Sequence, residues 1–147
     1  MSLEEAALYR GRFFETYSGL KRWHDNQRRA WQRRETETRT LTGRRRMKVE
    51  KLTDRLNAPV QGTGADGLKV ALALLWERRS ECPGAVPVLD CHDEVVVECD
   101  AEQAGDVKAW LEKAMIEGME AVINGMDEVD VPIEIETRIA RRWGESG

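Results

Sequence analysis

Cysteine and histidine are scarce in this 147-residue chain, and their scarcity excludes several chemistries. The three cysteines, Cys82, Cys91 and Cys99, are odd in number and form no C-x-x-C pair. That argues against a zinc site or a disulfide framework and fits a reducing cytoplasm. The two histidines, His24 and His92, stand far apart in sequence. No apolar run approaches the ~20 residues of a membrane-spanning helix, and nothing at the start reads as a secretory signal. Met1-Ser2-Leu3 has the look of a cloning remnant and is left out of the fold reasoning. There is no internal repeat and no low-complexity linker. What is present is 41% hydrophobic and 34% charged, at a length that suits one compact domain with a core.

The net charge of −4 conceals a division. Residues 1–56 carry 15 Lys and Arg against 8 Asp and Glu, whereas residues 57–147 carry 8 against 19. A basic part facing nucleic acid beside an acidic part hosting cations accounts for the asymmetry. A solvated basic helix without a partner is the plainer alternative.

In chain order, Glu4 to about Arg34 reads as one long helix, with Leu8, Phe13, Tyr17, Leu20, Trp23 and Trp31 at broadly helical spacing. Ser18-Gly19 predicts a kink or break, and the aromatics predict core packing rather than base stacking. Thr36 to Val49 reads as a β-hairpin with Arg44, Arg45 and Arg46 at its tip, where guanidinium forks suit phosphate contacts. A solvated loop is the plainer reading. Pro59 must start or break a helix, so the second helix is placed at about Thr63 to Arg79. Asn57, Gln61 and Thr63 then lie around its start, as caps or as donors to a nucleic acid beside a helix N-terminus that favours anions.

The stretch Val86 to Glu98 reads as a second hairpin, with His92, Asp93 and Glu94 at its tip. Adjacent carboxylates repel, and a hard divalent cation that takes oxygen ligands relieves them. A bland acidic turn has the same spacing. Asp100-Ala-Glu-Gln103 resembles a capping box opening a helix at about Ala101. Val107, Trp110, Leu111, Ala114, Met115 and Met119 form that helix's apolar face, and Asn124-Gly125 ends it. The acidic loop Met126–Asp130 leads to an alternating strand from Ile133 to Ala140. The expected fold is α+β: a small antiparallel sheet (hairpin 86–99 plus strand 133–140) covered by helices on one face, with a long N-terminal helical region and a basic hairpin.

Five stretches, in order, resemble the C-terminal part of a family A DNA polymerase, the DNA polymerase I type. Phe13-Phe14-Glu-Thr-Tyr-Ser-Gly19 is similar to F-F-x-x-Y-P-G, and Thr40-Leu-Thr-Gly-Arg-Arg-Arg46 to T-L-x-G-R-R-R. Asn57-Ala-Pro-Val-Gln-Gly-Thr-Gly-Ala-Asp66 resembles N-x-P-x-Q-G-T-A-A-D. Cys91-His-Asp-Glu-Val-Val-Val-Glu98 resembles motif C, V-H-D-E-x-V-x-E, and Trp143-Gly-Glu145 the usual ending.

The resemblance implies that residues 4–147 form the C-terminal part of a polymerase palm. It implies that Asp93 binds catalytic Mg²⁺ with Glu94 in support, in two-metal phosphoryl transfer of deoxynucleotides to a primer 3′ end. It further places His92 near the primer-terminal sugar, Asn57 and Gln61 near minor-groove acceptors that are alike for all base pairs, and Arg44–Arg46 near template-primer phosphates. Primer-template DNA, a deoxynucleoside triphosphate and the cytoplasm of a bacterial or phage-infected cell are the implied setting, with no membrane.

The departures from the family are as informative. Motif A, D-Y-S-Q-I-E, with the first metal-binding aspartate, does not occur, nor does the fingers helix R-x-x-x-K-x-x-x-F-G-x-x-Y-G. The segment between Arg46 and Asn57 is shorter than in bacterial members. Thr53 stands where they place an arginine, with Arg55 as the nearby substitute, and Asp90 adds a carboxylate. The expectation is therefore a chain that does not extend primers alone, either an excised fragment or one piece of a split polymerase. The alternatives are a non-catalytic DNA-binding module and a small metal-dependent nuclease built on His92, Asp93 and Glu94. The nuclease needs a further ligand, and His24 lies in the distant first helix.

Overall fold

The first helix begins where its leading N–H groups find side-chain acceptors. Ser2 Oγ accepts from Glu5 N (3.2 Å) and the Glu5 carboxylate accepts from Ser2 N (2.6 Å), so Ser2 and Leu3 take part in the fold. The structure is a computed structural model, and it describes residues 1–123 and 132–145. Helices α1 (Leu3–Thr16) and α2 (Ser18–Gln32) meet at Tyr17, whose φ of −102° and ψ of 63° interrupt the helix just before Ser18-Gly19.

The aromatics of these helices are not core. Phe13 is 47% and Tyr17 56% exposed, and they stack on each other at 4.9 Å rather than beneath a cover. Helical spacing places side chains on one face but does not say what covers that face, and α1 buries no residue. After α2 the chain reverses through Arg34 at φ 59°, with Arg34 N donating to Trp31 O and Glu35 N to Ala30 O. This is the Schellman closure, made with arginine where glycine is usual.

The basic hairpin forms as two short strands, β1 (Thr38–Arg39) and β2 (Arg45–Arg46), paired Thr38 to Arg46 and Arg39 to Arg45. Gly43 supplies the positive φ of its turn, 85°. Helix α3 then runs Leu52–Glu77 straight through Pro59, which sequence reasoning places at a break. An interior proline costs about 3 kcal/mol. Set against that, the same helix buries Ala58, Thr63, Asp66, Ala71 and Leu75, so packing outweighs local preference.

The chain divides into two compact units, 1–60 and 61–147. Residues 57–60 are uncharged, so the division coincides with the change from basic to acidic sequence. Within unit 61–147 the core is Leu75, Val107, Trp110 and Ala114. Leu72 and Leu111 pack against it, as do Val95, Val97 and Cys99. Helix α4 (Ala104–Ile123) lies close on α3, because Gly118 has no side chain: a Cβ there would come within 2.6 Å of Ala71 N. Arg78 pairs with Glu117 at 2.5 Å.

The expected capping box at Asp100 does not form. A single 3-10 turn, Ala101–Gln103, opens α4 instead, with Gln103 N donating to Asp100 O (3.0 Å) and no cap bond from the Asp100 side chain. The Gln103 amide oxygen lies beside Gly84, 3.3 Å from where a Cβ would sit, and not back on the cap.

The second sheet is the hairpin of β3 (Val86–Cys91) and β4 (Glu94–Glu98), with a bulge between Pro87 and Leu89. The expected third strand is a correction. Residues 132–140 keep the alternation, with Ile133, Ile135 and Thr137 half-buried and Glu134, Glu136 and Arg138 exposed, but they join no sheet. Alternation orients side chains, whereas a strand also requires a neighbour whose N–H and C=O groups match in register. The proposed helix end at Asn124-Gly125 and most of the acidic loop lie outside the described residues. The fold is α+β, with four helices and two small antiparallel sheets among the described residues. None of these helices is long and apolar enough to cross a membrane.

Candidate functional site

The acidic tip is made by a two-residue turn. Cys91 pairs with Glu94, so His92 and Asp93 form the turn itself and Glu94 opens β4. His92 adopts φ 60°, the left-handed region that costs a side-chain-bearing residue about 1–2 kcal/mol. Backbone strain of this kind concentrates at functional sites. His92, Asp93 and Glu94 are all exposed.

Strand alternation settles which way Glu94 faces. Val95, Val97 and Cys99 pack on the helical core, so Glu94, Val96 and Glu98 face the opposite, uncovered side of the hairpin. The tip is therefore neither buried against its own chain nor turned under the helices. One further residue meets it there: Trp143 Nε1 donates to Glu94 Oε1 at 3.1 Å, across 49 positions of sequence. Sequence reasoning missed this contact. The only available signal was Trp143-Gly-Glu145 as a motif, which names no partner.

As a donor set, Asp93 and Glu94 offer hard carboxylate oxygens of the kind Mg²⁺ takes. Among the described residues, no three of His, Cys, Asp and Glu gather in a geometry that could hold a metal. The pair fits a divalent ion in chemistry but by itself would supply only part of its coordination. Asp90 is exposed on β3, opposite Val95.

The basic hairpin, in unit 1–60, is organised around Glu37. Its carboxylate accepts from Arg45 (2.6 Å) and from Arg39 (2.8 Å), and the Arg45 hydrogen bond holds it below the usual carboxylate range. The three arginines are thus not equivalent. Arg45 is committed to Glu37, Arg46 is exposed, and the Arg44 backbone N–H donates to Thr40 Oγ1 (3.1 Å). Arg55 is 2% exposed, donating to Glu37 O (2.6 Å) and the Glu35 carboxylate (3.2 Å). Arg55 is thus engaged with the chain leading into the basic hairpin. An open cavity of about 640 Å³ in this unit is lined by Glu35, Glu37, Arg39 and Arg55 among others, and by none of the candidate site residues.

Asn57 and Gln61 are both exposed and sit four residues apart in the interior of α3. The helix starts at Leu52, so neither caps it and neither lies at an anion-favouring N-terminus. Spacing of four puts both amides along one helical face.

Comparison with known proteins follows the same outline. The family model DNA polymerase family A matches residues 1–145. The chain is 40% identical over 146 residues to DNA polymerase I of Aquifex aeolicus, covering 97% of this chain and 24% of that protein. It is 34% identical over 151 residues to the thermostable DNA polymerase I of Thermus aquaticus, covering 95% of this chain and 17% of that one. Among solved structures, the POL domain of Pol1 from M. smegmatis, in complex with DNA primer-template and dNTP, matches 80% of this chain and 23% of its own, with a TM-score of 0.67 and 26% identity. The chain thus spans about a quarter or less of these relatives. With the match running from Met1 to Glu145, the chain belongs to DNA polymerase family A.

Proposed function

We propose that this chain is the C-terminal part of the palm of a template-directed DNA polymerase, and that it makes DNA only when the rest of that enzyme completes it. One observation carries the reading. A family A chain presents two adjacent carboxylates, Asp93 and Glu94, on a strained exposed turn at the uncovered side of its hairpin.

In this reading Asp93 is the principal ligand this chain contributes to catalytic Mg²⁺, and Glu94 supports it. When bound, the two ions activate the primer 3′-hydroxyl and stabilise the leaving pyrophosphate. His92 holds the primer-terminal sugar. Asn57 and Gln61 donate to minor-groove acceptors, which test the shape of a base pair without reading its sequence. Arg44 and Arg46 meet backbone phosphates, with Arg45 bracing the hairpin through Glu37. The missing carboxylate and the grip on the triphosphate come from the remainder of the polymerase. The M. smegmatis neighbour, in complex with DNA primer-template and dNTP, supports this assignment of partners.

The test is primer extension by the chain alone and after joining to an upstream family A portion carrying motif A and the fingers. The chain alone gives no extension, and the joined enzyme does. In the joined enzyme Asp93→Ala lowers synthesis by roughly 10³-fold, the loss of several kcal/mol of charge stabilisation, with DNA affinity kept within about twofold. Unchanged synthesis in Asp93→Ala would leave the non-catalytic DNA-binding reading in its place. Cleavage of DNA by the chain alone in Mn²⁺ would favour the nuclease.

A further inference from the structure

The last described turn is built to return one donor to the acidic tip. Gly144 takes φ 80°, the Glu145 carboxylate accepts from Arg141 N (3.2 Å), and Glu145 N donates to Arg142 O (3.3 Å). The turn is thereby closed on itself, by the two residues that follow Trp143. What it presents is the Trp143 indole, 62% exposed, whose single N–H donates to Glu94 Oε1 at 3.1 Å. An exposed, rotamer-rich glutamate is thus tethered at one oxygen by a group that packs against little else.

We propose that Trp143 is a positioning residue for Glu94: by holding Oε1 in a hydrogen bond it leaves Oε2 the freer oxygen for a cation and so favours small ions over large ones. The proposal rests on the reading of Asp93 and Glu94 as metal ligands. An oxygen that already accepts from an indole is the poorer metal donor and is fixed in orientation, so chelation through both oxygens strains or breaks the hydrogen bond, whereas binding through Oε2 alone keeps it. Ca²⁺ takes six to eight oxygens in loose geometry and accepts two-oxygen carboxylates, whereas Mg²⁺ demands octahedral geometry and is satisfied by single oxygens and water. The tether therefore costs Ca²⁺ more than Mg²⁺ or Mn²⁺. Groups that hydrogen-bond a metal ligand without touching the metal act in this way, by fixing the ligand's orientation.

The experiment uses the whole chain with ¹⁵N-labelled tryptophan, whose five indole signals report Trp23, Trp31, Trp76, Trp110 and Trp143 separately. Glu94→Ala is expected to move the Trp143 signal and leave that of the core residue Trp110 in place. An unmoved Trp143 signal overturns the contact and the proposal with it. Mn²⁺ is expected to broaden Trp143 ahead of the other four. Trp143→Phe keeps the ring and removes the N–H, and in that variant the ratio of Mn²⁺ to Ca²⁺ affinity falls at least threefold, with the Trp110 signal unchanged. An unchanged ratio overturns the proposal alone, because a purely structural tryptophan affects both ions alike. If Trp143 shifts in Glu94→Ala yet Mn²⁺ broadens no signal near the tip, the metal reading of Asp93 and Glu94 falls and the proposal falls with it.

Discussion

The two units of this chain are held together by different forces. Unit 61–147 closes over a contiguous apolar core, with Leu75 1% and Trp110 6% exposed. In unit 1–60 the one large apolar side chain buried to that degree is Val49, and Thr38 and Arg55 are buried with it. There the ordering comes from arginine on carboxylate and carbonyl: Arg33 and Arg55 on Glu35, Arg39 and Arg45 on Glu37, Arg55 on Glu37 O. In the proposed function the difference matches what each unit is asked to do: the carboxylates that hold an ion stand on the hairpin that packs on the apolar core, whereas the arginine-rich hairpin stands on ion pairs that a polyanion can exchange.

That contrast can be broken or sharpened. The largest effect is expected at Leu75→Ala, which empties the core of the second unit and costs about 2–5 kcal/mol. Urea unfolding followed by tryptophan fluorescence measures it, and a loss well under that range would mean the apolar core is not what holds this unit. Gly118→Ala follows at about 1–3 kcal/mol, because its methyl group has no room against the Ala71 backbone. Thermal melting checks it, and an unaffected midpoint would show that α3 and α4 separate easily.

Next come residues in the left-handed region, which are Arg34 and Lys48 in the first unit and His92 in the second. Arg34→Gly and His92→Gly are each expected to stabilise by about 1 kcal/mol, relieving φ values of 59° and 60°. In a completed polymerase only His92→Gly should slow synthesis, so equal kinetic effects would erase the distinction between a helix stop and a functional turn.

The smallest effect is an acid response confined to the first unit. The Arg33 hydrogen bond lowers the Glu35 pKa and the Arg45 hydrogen bond lowers that of Glu37. A depressed folded-state pKa contributes stability that is fully present above the ordinary carboxylate value near 4 and is lost as pH falls through the lowered one. The protection of amides in residues 38–46, taken relative to the intrinsic exchange rate at each pH, should therefore fall between pH 6 and 3, and less so in Glu37→Gln. An equal fall in protection in residues 95–99 would break the contrast.

Much of this was legible in the sequence, and the exceptions have physical causes. Both hairpins were readable because turn chemistry is local: Gly43 and the polar residues His92 and Asp93 mark the reversals directly. The apolar face of α4 was readable because period 3.6 survives any context. Pro59 misled because its penalty is local while the burial along α3 that outweighs it is tertiary. The strand expected at 133–140 has the right alternation without a paired neighbour, and alternation alone does not report pairing. The aromatics of α1 carry the spacing of a core without the cover. At the candidate site, the carboxylates could be named from spacing, but Trp143 is 49 residues from Glu94, and no local pattern predicts a contact of that range.

Strand β3 carries a consequence for handling the isolated chain. All six of its residues are exposed, Val86, Val88 and Leu89 among them, and among the described residues β4 is its one partner in the sheet. A bare edge of backbone donors and acceptors flanked by valine and leucine is a template on which a second copy can add its own strand. Concentrated solutions should thus thicken into β-rich assemblies before the fold itself fails, and a lysine at position 88 is the least intrusive way to keep them clear.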